Sequence, residues 1–401
     1  MKETVTTIET NNLGNAIAKI NNQVIFIEKA LPNETIKIEI TETKKKYKIA
    51  TIKEIITKNE ERIKPICKYY DKCGGCSFLH ATNKEELEIK QKYIEKLFKN
   101  YKINKIIPTN EYNYRNKVTL HVKDNKIGFY EKNTNNLIEI KTCHLLKEEI
   151  NETIKKLNKI NLKNIKEIMI RTNTKKEIMI KIIGTIEKQD ILKILKIDNL
   201  QSLYQNDKLI YKNPYLEETI NNLKYTIYPN AFFQVNKEGM IKIYDLNRNY
   251  AKKGQKLLDL YCGTGTIGLY LHDLYQEILG IEINKDSIKN AKLNKKLNNI
   301  NNIDFICTDA KNIYDKYDTV LVDPPRNGLS KQVIKKLLEI KPEKIIYTSC
   351  NPNTLNRDIK LLETNYKIIE ITPVNMFPKT SHVECVCLLE INDNVILDKI
   401  D

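Results

Sequence analysis

The chain has 401 residues, of which 41% are hydrophobic and 29% charged, and this composition excludes collagen-like and low-complexity proteins. Lys and Arg number 67 against 51 Asp and Glu, and the net charge of +16 favours nucleic acid as a partner, although an excess of Lys on solvated surfaces is the alternative. Apolar runs fall short of the roughly 20 residues of a membrane helix, and the N-terminus lacks a secretory pattern, so we expect a cytoplasmic protein with no membrane partner.

The N-terminal region, residues 1–57, alternates apolar and polar residues in short segments separated by turn residues. This pattern predicts β-strands. The segments are Asn15–Lys19, Val24–Glu28, Thr35–Thr41 and Tyr47–Ile55. We expect them to form a small β-barrel, a fold that often binds nucleic acid but is also used as a purely structural unit.

The central region, residues 58–245, mixes helical and strand patterns and predicts an α+β domain. The expected elements are a helix over 83–99 and strands at Lys117–Val122, Ile127–Tyr130, Ile168–Arg171 and Glu177–Ile183. Three of the nine Cys open this region, at Cys67, Cys73 and Cys76, and Cys143 follows far along the chain. Zinc sites usually pair two similar Cys motifs, so this uneven spacing favours a four-Cys iron–sulfur cluster, with zinc as the alternative.

From residue 246 to 401, short apolar runs alternate with helical stretches, which predicts a doubly wound α/β sheet. The expected strands are Lys256–Leu260, Ile278–Ile283, Ile303–Cys307, Thr319–Val322, Lys344–Thr348, Ile368–Pro373 and Val383–Ile391. The last two leave no room for a helix between them, so they should form an antiparallel hairpin. Ligands of such sheets bind at the carboxyl ends of the strands.

A glycine-rich turn follows the first of these strands, with Gly263, Gly265 and Gly268 after Asp259. The spacing also fits a dinucleotide site. Acidic residues end the next three strands, at Glu282, Asp309 and Asp323, and this series favours a cationic methyl donor over a nicotinamide.

Three further motifs stand at the expected ligand crevice. The sequence DPPR at Asp323–Arg326 has two prolines that stiffen the turn behind a carboxylate. Cys350 ends another strand, where it is either a nucleophile or a small buried apolar residue. Glu384 lies in an otherwise apolar strand and is either a general base or a salt-bridge partner. Cys385 and Cys387 are expected in the core.

In their order along nearly the whole chain, these motifs, together with FQVN at Phe233–Asn236, resemble the iron–sulfur-containing RNA uracil-5-methyltransferases. The N-terminal barrel resembles the TRAM domain of their ribosomal-RNA branch. The resemblance implies a class I methyltransferase fold and two cofactors, S-adenosylmethionine and a [4Fe–4S] cluster. It implies cluster ligands at Cys67, Cys73, Cys76 and Cys143. It assigns the S-adenosylmethionine site to Gln234, Tyr261, Thr266, Glu282, Asp309 and Asp323, with Tyr261 and Thr266 standing for a common Phe and Asn.

The same resemblance implies a reaction at C5 of uracil, in which Cys350 adds to C6 and Glu384 removes the C5 proton. The target base must leave its stack, and Phe232 and Phe233 are candidates to support it, with burial in the core as the alternative. We expect RNA as the partner, 23S ribosomal RNA first and transfer RNA as the alternative, and a monomeric enzyme. An iron–sulfur oxidoreductase using a dinucleotide, a cytosine-5-methyltransferase and a noncatalytic RNA-binding module are the competing hypotheses.

Overall fold

The computed structural model describes residues 2–392 and begins with a six-stranded antiparallel and parallel sheet. Its strands are β1 (Lys2–Thr6), β2 (Glu9–Thr10), β3 (Ala16–Ile20), β4 (Gln23–Ile27), β5 (Thr35–Thr43) and β6 (Tyr47–Thr57). The spatial order is β1-β5-β6-β4-β3-β2. Since β1 and β2 follow each other in the chain but lie at opposite edges, the sheet closes on itself as a small barrel. The four expected strands overlap β3 to β6.

Alternating apolar residues fill this barrel, because successive side chains of a strand point to opposite faces. Ile25, Ile27, Ile36 and Ile38 are fully buried in its interior. The barrel is fixed to the following chain by the buried carboxylate of Glu34. Arg62 donates from both Nε and Nη2 to this carboxylate, the latter at 2.7 Å.

The central region contains α1 (Asn83–Leu97) and a seven-stranded sheet. Its strands are β7 (Lys117–Lys123), β8 (Lys126–Tyr130), β9 (Leu137–Glu139), β10 (Ile165–Thr172), β11 (Ile178–Gly184), β12 (Leu200–Gln205) and β13 (Lys208–Lys212). The helices α2 (Glu148–Leu157) and α3 (Lys188–Ile194) connect β9 to β10 and β11 to β12. The strand order in the sheet is β13-β12-β11-β10-β7-β8-β9. One face of the sheet packs on α2 and α3 through residues such as Leu120, Ile168 and Ile180. The two-stranded ribbon β14 (Leu216–Ile220) and β15 (Leu223–Ile227) and the helix α4 (Lys237–Ala251) follow.

The C-terminal region is a doubly wound sheet, as expected. Its elements are β16 (Gly254–Leu260), α5 (Thr266–Tyr270), a 3-10 turn (His272–Leu274), β17 (Tyr275–Glu282), α6 (Lys285–Leu297), β18 (Ile303–Cys307), β19 (Thr319–Val322), α7 (Lys331–Ile340), β20 (Lys344–Ser349), α8 (Pro352–Leu362), β21 (Tyr366–Val374) and β22 (Glu384–Ile391). The order is β18-β17-β16-β19-β20-β22-β21. Strands β16 to β20 are parallel, and β22 runs antiparallel to both β20 and β21. The last strand therefore inserts beside β20, and β21 forms the edge.

Packing crosses the expected boundary between the central and C-terminal regions. Helix α4 continues past residue 245 and packs on β20, β21 and β22, while α1 packs on α8. Short bridges join Ile103 and Ile107 to β21. The domain ranges 1–57, 58–245 and 246–401 stay a prediction, and the segments around α1 and α4 share the core of the C-terminal sheet. None of the helices within residues 2–392 combines the length and apolar character needed to span a membrane.

Candidate active site

The glycine-rich turn after β16 leaves room for a ligand at the carboxyl end of the sheet. Gly263 and Gly265 have positive φ angles of 54° and 75°, a region that glycine enters without the steric cost of a Cβ atom. Among residues 2–392 a Cβ atom on Gly263 would have no neighbour within 4 Å, whereas one on Gly265 would clash with the ring of Phe305. The main chain at Gly265 therefore packs closely against the core, whereas the main chain at Gly263 borders open space.

Two carboxylates hold this turn by accepting hydrogen bonds from its amides. The N–H of Gly268 donates to Oδ2 of Asp259 at 3.0 Å, and the N–H of Gly263 donates to Oε2 of Glu282 at 3.3 Å. The second oxygen of Asp259, Oδ1, is buried and has no hydrogen-bond partner within residues 2–392. A buried acceptor without a donor is costly, so this oxygen is a point at which a bound ligand would add stability.

The strand-end acids differ in their protonation. Burial raises the pKa of Asp259 to about 8, and the charge of Asp323 raises it as well. Burial also raises the pKa of Asp323 to about 7. Asp309 is different, because the N–H of Lys311 donates to its carboxylate at 3.0 Å and lowers its pKa. Asp259 and Asp323 thus accept protons readily, whereas the ionised form of Asp309, which follows β18, is favoured.

Tyr261 and Thr266 lie in the turn itself. The pKa of Tyr261 is raised to about 12 by burial and by the nearby carboxylates of Asp309 and Glu282, which places its half-buried ring among the strand-end acids. The hydroxyl of Thr266 accepts a hydrogen bond from the Tyr244 hydroxyl at 2.7 Å. The structure thus brings together five of the six expected cofactor residues, all except Gln234, and it gives Thr266 a partner in α4.

Gln234 lies at the junction between the central sheet and the C-terminal region. Its main-chain oxygen accepts from Nδ2 of Asn116 at 3.2 Å. Asn236, two residues later, caps α4 and donates from Nδ2 to the main-chain oxygen of Met376 at 2.8 Å. The FQVN segment is therefore fixed at both ends, and it connects the central sheet to the loop that precedes β22. Phe233 is buried in this segment, whereas Phe232 is 70% exposed.

Cys350 and Glu384 meet at the ends of two neighbouring antiparallel strands. The register of β20 and β22 pairs Ser349 with Cys385, so the next residue of each chain segment, Cys350 and Glu384, lie beside each other. Cys350 is half-buried and Glu384 is buried. Cys385 and Cys387 are buried in the core, as expected.

The electrostatics of this pair are set by burial and by two neighbours, Asp323 and Arg326. Burial and the charge of Asp323 raise the pKa of Glu384 to about 8, and the charge of Arg326 opposes this shift. Burial and the charges of Glu384 and Asp323 raise the pKa of the Cys350 thiol to about 11, again opposed by Arg326. No Lys or Arg within residues 2–392 forms an ion pair with Glu384, so its salt-bridge interpretation has no partner there.

Side chains that the sequence analysis left out hold the DPPR turn against the Cys350 turn. Nδ2 of Asn351 and Oγ1 of Thr354 both donate to the main-chain oxygen of Arg326, at 3.1 and 3.3 Å. Nη2 of Arg357 donates to the main-chain oxygen of Asn327 at 2.9 Å. Asn351 also caps α8, with Pro352 in the first turn. The Asn-Pro pair is the sequence signal that could have identified this helix start.

A buried ion network anchors the loop that leads into Glu384, and sequence reasoning missed it. Nζ of Lys90 donates to Oε1 of Glu86 and to Oδ1 of Asn375, both at 2.7 Å. The N–H of Lys379 donates to the same Glu86 oxygen at 2.9 Å. The side chains of Glu86, Lys90 and Lys379 are at most 2% exposed.

The four expected cluster ligands are free thiols that line one cavity of about 770 Å³. The pKa of Cys76 is raised by burial and by the charges of Cys143, Cys73 and Cys67, which shows that the thiols lie near one another. Within residues 2–392, however, no group of three or more metal-binding side chains has the geometry of a metal site. The sequence spacing thus brings the cysteines to one place without arranging them around a common centre.

Comparison with known proteins decides the family. Residues 82–317 and 311–392 match the family described as tRNA (Uracil-5-)-methyltransferase, and residues 4–53 match the TRAM domain. The chain belongs to this methyltransferase family. The enzyme class expected from the sequence is confirmed: an S-adenosylmethionine-dependent RNA (uracil-5-)-methyltransferase, preceded by a TRAM domain.

Relatives align over nearly the whole chain. An "uncharacterized RNA methyltransferase" of Clostridium tetani is 33% identical over 429 residues, which covers 94% of this chain and 93% of the relative. Another of Staphylococcus epidermidis is 31% identical, with 95% of each covered. The crystal structure of Pyrococcus abyssi tRNA (uracil-54, C5)-methyltransferase in complex with S-adenosyl-L-homocysteine superposes with a TM-score of 0.80 and 25% identity, covering 96% of this chain and 100% of that one.

The raised pKa values of Asp323 and Glu384 predict a pH-dependent affinity for the methyl donor. Both carboxyls are largely protonated at pH 6 and lose their protons as the pH rises through about 7 to 8. The sulfonium of S-adenosylmethionine favours the ionised form, so its binding should tighten between pH 6 and 8, by up to about tenfold per pH unit for each proton released. Isothermal titration calorimetry at both pH values measures this.

S-adenosylhomocysteine is the matched control, because it carries the same amino-acid and nucleoside groups without the positive sulfur. Its affinity should change much less over the same range. In Asp323→Asn the difference between the two ligands should shrink. Equal pH dependence of both ligands in the unmodified protein would contradict the electrostatic description of the site.

Proposed function

We propose that the protein methylates C5 of a uridine in RNA through a covalent bond between the sulfur of Cys350 and C6 of the base. The observation that carries the proposal is the juxtaposition of Cys350 and Glu384 at the ends of β20 and β22, with Asp323 close enough to raise the pKa of both. A nucleophile and a carboxyl base beside each other are the two groups that substitution at C5 requires.

The reaction then divides between the two side chains. The Cys350 thiolate adds to C6, and the electron pair of the C5–C6 double bond moves toward the O4 carbonyl, so that C5 becomes nucleophilic. S-adenosylmethionine, when bound, would supply the methyl group that C5 attacks, and the electron pair of the broken S–CH₃ bond would stay on the sulfur of the S-adenosylhomocysteine that leaves. Glu384 removes the proton from C5, the double bond re-forms, and the thiolate leaves. Arg326 lowers the pKa of both groups and so favours their ionised forms.

The residues of the turn suit the methyl donor by chemistry and space. Oδ1 of Asp259 is buried and has no hydrogen-bond partner in the described part of the chain, and Gly263 has open space there where a side chain would otherwise stand. We assign contacts with the methyl donor to Gln234, Tyr261, Thr266, Glu282, Asp309 and Asp323. We assign a second role to Asp323, which is to orient the target base. Of the two expected Phe candidates, Phe232 is the one with an exposed ring that a base could contact, whereas Phe233 is buried in the core.

Different substitutions at the pair should stop the reaction at different points. Cys350→Ala should form neither methylated RNA nor a protein–RNA adduct. Glu384→Gln keeps the shape of the side chain but loses the base, so methylated RNA should accumulate covalently bound to protein. A denaturing gel after incubation with methyl donor and RNA separates the two outcomes.

The exposed thiol of Cys307 is the control for this experiment, since Cys307→Ala removes a free cysteine of the same domain and should react as the unmodified protein does. Normal turnover by Glu384→Gln would show that this carboxyl is not the base. An adduct that persists in Cys350→Ala would assign the nucleophile to another thiol, such as Cys262.

We propose further that Cys67, Cys73, Cys76 and Cys143 hold a [4Fe–4S] cluster. Four free thiols at one cavity supply the ligand type and number that such clusters use. The main chain after Cys76 suits a bracing role, because the N–H groups of Ser77 and Phe78 donate to the main-chain oxygen of Lys379. The cluster would thereby brace the loop that leads into Glu384.

Iron and sulfide analysis tests the cluster. Protein purified without oxygen should be brown and contain about four iron and four sulfide per chain. Cys143→Ser should lose most of the colour, whereas Cys307→Ser should keep it. A colourless and active protein with stoichiometric zinc would contradict the proposal.

The proposed RNA is 23S ribosomal RNA, with the TRAM barrel and the charge of +16 providing RNA contacts. Transfer RNA is the second candidate, and a specific observation favours it: the superposed tRNA methyltransferase of Pyrococcus abyssi covers 96% of this chain. The barrel therefore does not by itself distinguish the two substrates. The enzyme is proposed to act as a monomer.

Competition between the two RNA classes decides the substrate. Full-length protein is incubated with labelled methyl donor and equal masses of ribosomal and transfer RNA from a methylation-deficient strain. We expect label in 23S ribosomal RNA, at a nucleotide that mass spectrometry then maps. Label confined to transfer RNA would overturn the ribosomal assignment and leave the uracil chemistry intact.

A further inference from the structure

The residues assigned to the methyl donor lie on the two sides of β16. In the sheet order β18-β17-β16-β19-β20, Glu282 ends β17 and Asp309 follows β18 on one side. Asp323 and Cys350 follow β19 and β20 on the other side, where the donor sulfur must lie if the methyl group is to reach a base held at Cys350. The nucleoside offers hydroxyl and amino groups to the acids of the first side, which leaves the methionine part of the donor on the side of Asp323.

Helix α4 places a tyrosine hydroxyl on this second side. The hydroxyl of Tyr244 donates to Oγ1 of Thr266 at 2.7 Å. Burial and the charges of Asp323 and Asp259 raise the pKa of Tyr244, so the ring lies near both carboxyls and its hydroxyl keeps the proton. Tyr244 is 4% exposed, whereas Thr266 is partly exposed. The threonine, and not the tyrosine behind it, is therefore accessible to a ligand.

The direction of this hydrogen bond leaves the hydrogen of Thr266 free. A hydroxyl group rotates to suit its partners, and the oxygen that accepts from Tyr244 must direct its own hydrogen elsewhere. Among residues 2–392 the Thr266 hydroxyl donates to no acceptor, and Oδ1 of the nearby Asp259 has no partner at all. The carboxylate of the methionine part is the negative group of the methyl donor, and such a group needs O–H or N–H donors.

Contacts along α4 fix the position of Tyr244. Its ring packs edge-on against Tyr270 of α5, with 5.3 Å between the ring centres. The Tyr270 hydroxyl donates to Oδ1 of Asp245 at 2.5 Å, and Oδ1 of Asn247 accepts from Oγ1 of Thr348 in β20 at 3.2 Å. Helix α4 thus connects the glycine-rich turn to the strand that precedes the nucleophile.

We propose that Tyr244 is a positioning residue that holds the Thr266 hydroxyl toward the carboxylate of the methionine part of S-adenosylmethionine. The proposal rests on the proposed place of the methyl donor in this crevice, and it adds a residue from outside the glycine-rich turn. Tyr244 acts through Thr266 and makes no contact with the ligand itself. Without the phenol hydroxyl, Thr266 would have to be ordered by the ligand alone, at a cost in affinity.

Binding of two ligands to the full-length protein tests this role, with isothermal titration calorimetry as the readout. S-adenosylmethionine carries the carboxylate, and decarboxylated S-adenosylmethionine lacks it but keeps the nucleoside, the sulfonium and the amino group. Tyr244→Phe should weaken the binding of S-adenosylmethionine by about 2- to 12-fold, the range for one neutral hydrogen bond. The decarboxylated ligand should bind this variant as tightly as it binds the unmodified protein.

Substitutions of Thr266 complete a double-mutant cycle. Thr266→Val should weaken the binding of S-adenosylmethionine by about 10- to 150-fold, because a hydrogen bond to a charged group is lost. Thr266→Ser keeps the hydroxyl and should restore most of the affinity. Since Tyr244 acts through Thr266, adding Tyr244→Phe to Thr266→Val should cause no further loss.

The matched control is Tyr275→Phe. The Tyr275 hydroxyl donates at 2.7 Å to the main-chain oxygen of Ala251 at the end of α4, and Tyr275 is 4% exposed, as Tyr244 is. This substitution therefore removes a buried tyrosine hydroxyl from the same helix with the same bond length. Because Tyr275 begins β17 and the crevice lies at the other end of the strands, Tyr275→Phe should bind both ligands as the unmodified protein does.

The outcomes separate this proposal from the proposed function. Equal losses for the two ligands in Tyr244→Phe would overturn the proposal, because the tyrosine would then shape the crevice as a whole. Unchanged affinity for S-adenosylmethionine in Tyr244→Phe would also overturn it, as would an equal loss in Tyr275→Phe. The proposed function fails by a different measurement, if the unmodified protein binds S-adenosylmethionine and forms no 5-methyluridine in RNA.

Discussion

The buried carboxylate of Glu86 is the interaction on which the geometry of the active site depends. Its Oε1 accepts hydrogen bonds from Nζ of Lys90, the N–H of Lys379 and Nδ2 of Asn375, so one helix of the central region fixes the loop before β22. The same loop accepts amide hydrogen bonds from Ser77 and Phe78, directly after the last cysteine of the N-terminal group. Removing one partner from a buried ion pair costs about 3–5 kcal/mol. The position of Glu384 is therefore coupled to segments nearly 300 residues away in the chain.

Around Cys350 the dominant constraint is charge in a low-dielectric crevice. Asp259, Asp323 and Glu384 are carboxyls whose pKa values burial raises to about 8, 7 and 8. Burial favours the protonated forms of these acids, and a positive charge placed beside them would favour their ionised forms. In the central sheet the cations Lys117 and Arg171 face each other across β7 and β10, and neither forms an ion pair with another residue in the range 2–392.

The sequence predicted those parts of the molecule that depend on local pattern. Apolar runs identified the strands β16 to β22, and the positions of Asp259, Cys350 and Glu384 at strand ends followed from the topology of such sheets. Interactions between segments that are distant in the chain could not be predicted from local sequence patterns. The pairing of Lys90 with Glu86 looks like an ordinary exposed helix pair in sequence, and only its contact with Asn375 buries it. Among residues 2–392 Arg171 forms no ion pair, which is likewise a property of the folded sheet. The packing of α4 on β20 cannot be predicted from local composition, so the sequence did not show that α4 joins the core of the C-terminal sheet.

The most direct measurement of the central claim is the release of tritium from RNA labelled at C5 of uracil. A methyl group that replaces the C5 hydrogen must send that hydrogen to Glu384 and then to water, so tritium release should equal methyl incorporation in the unmodified enzyme. In Glu384→Gln methyl incorporation should outpace release, because the proton stays on C5 of the adduct. Methyl incorporation by the unmodified enzyme with full retention of tritium would contradict the claim, since the methyl group would then reside on another atom.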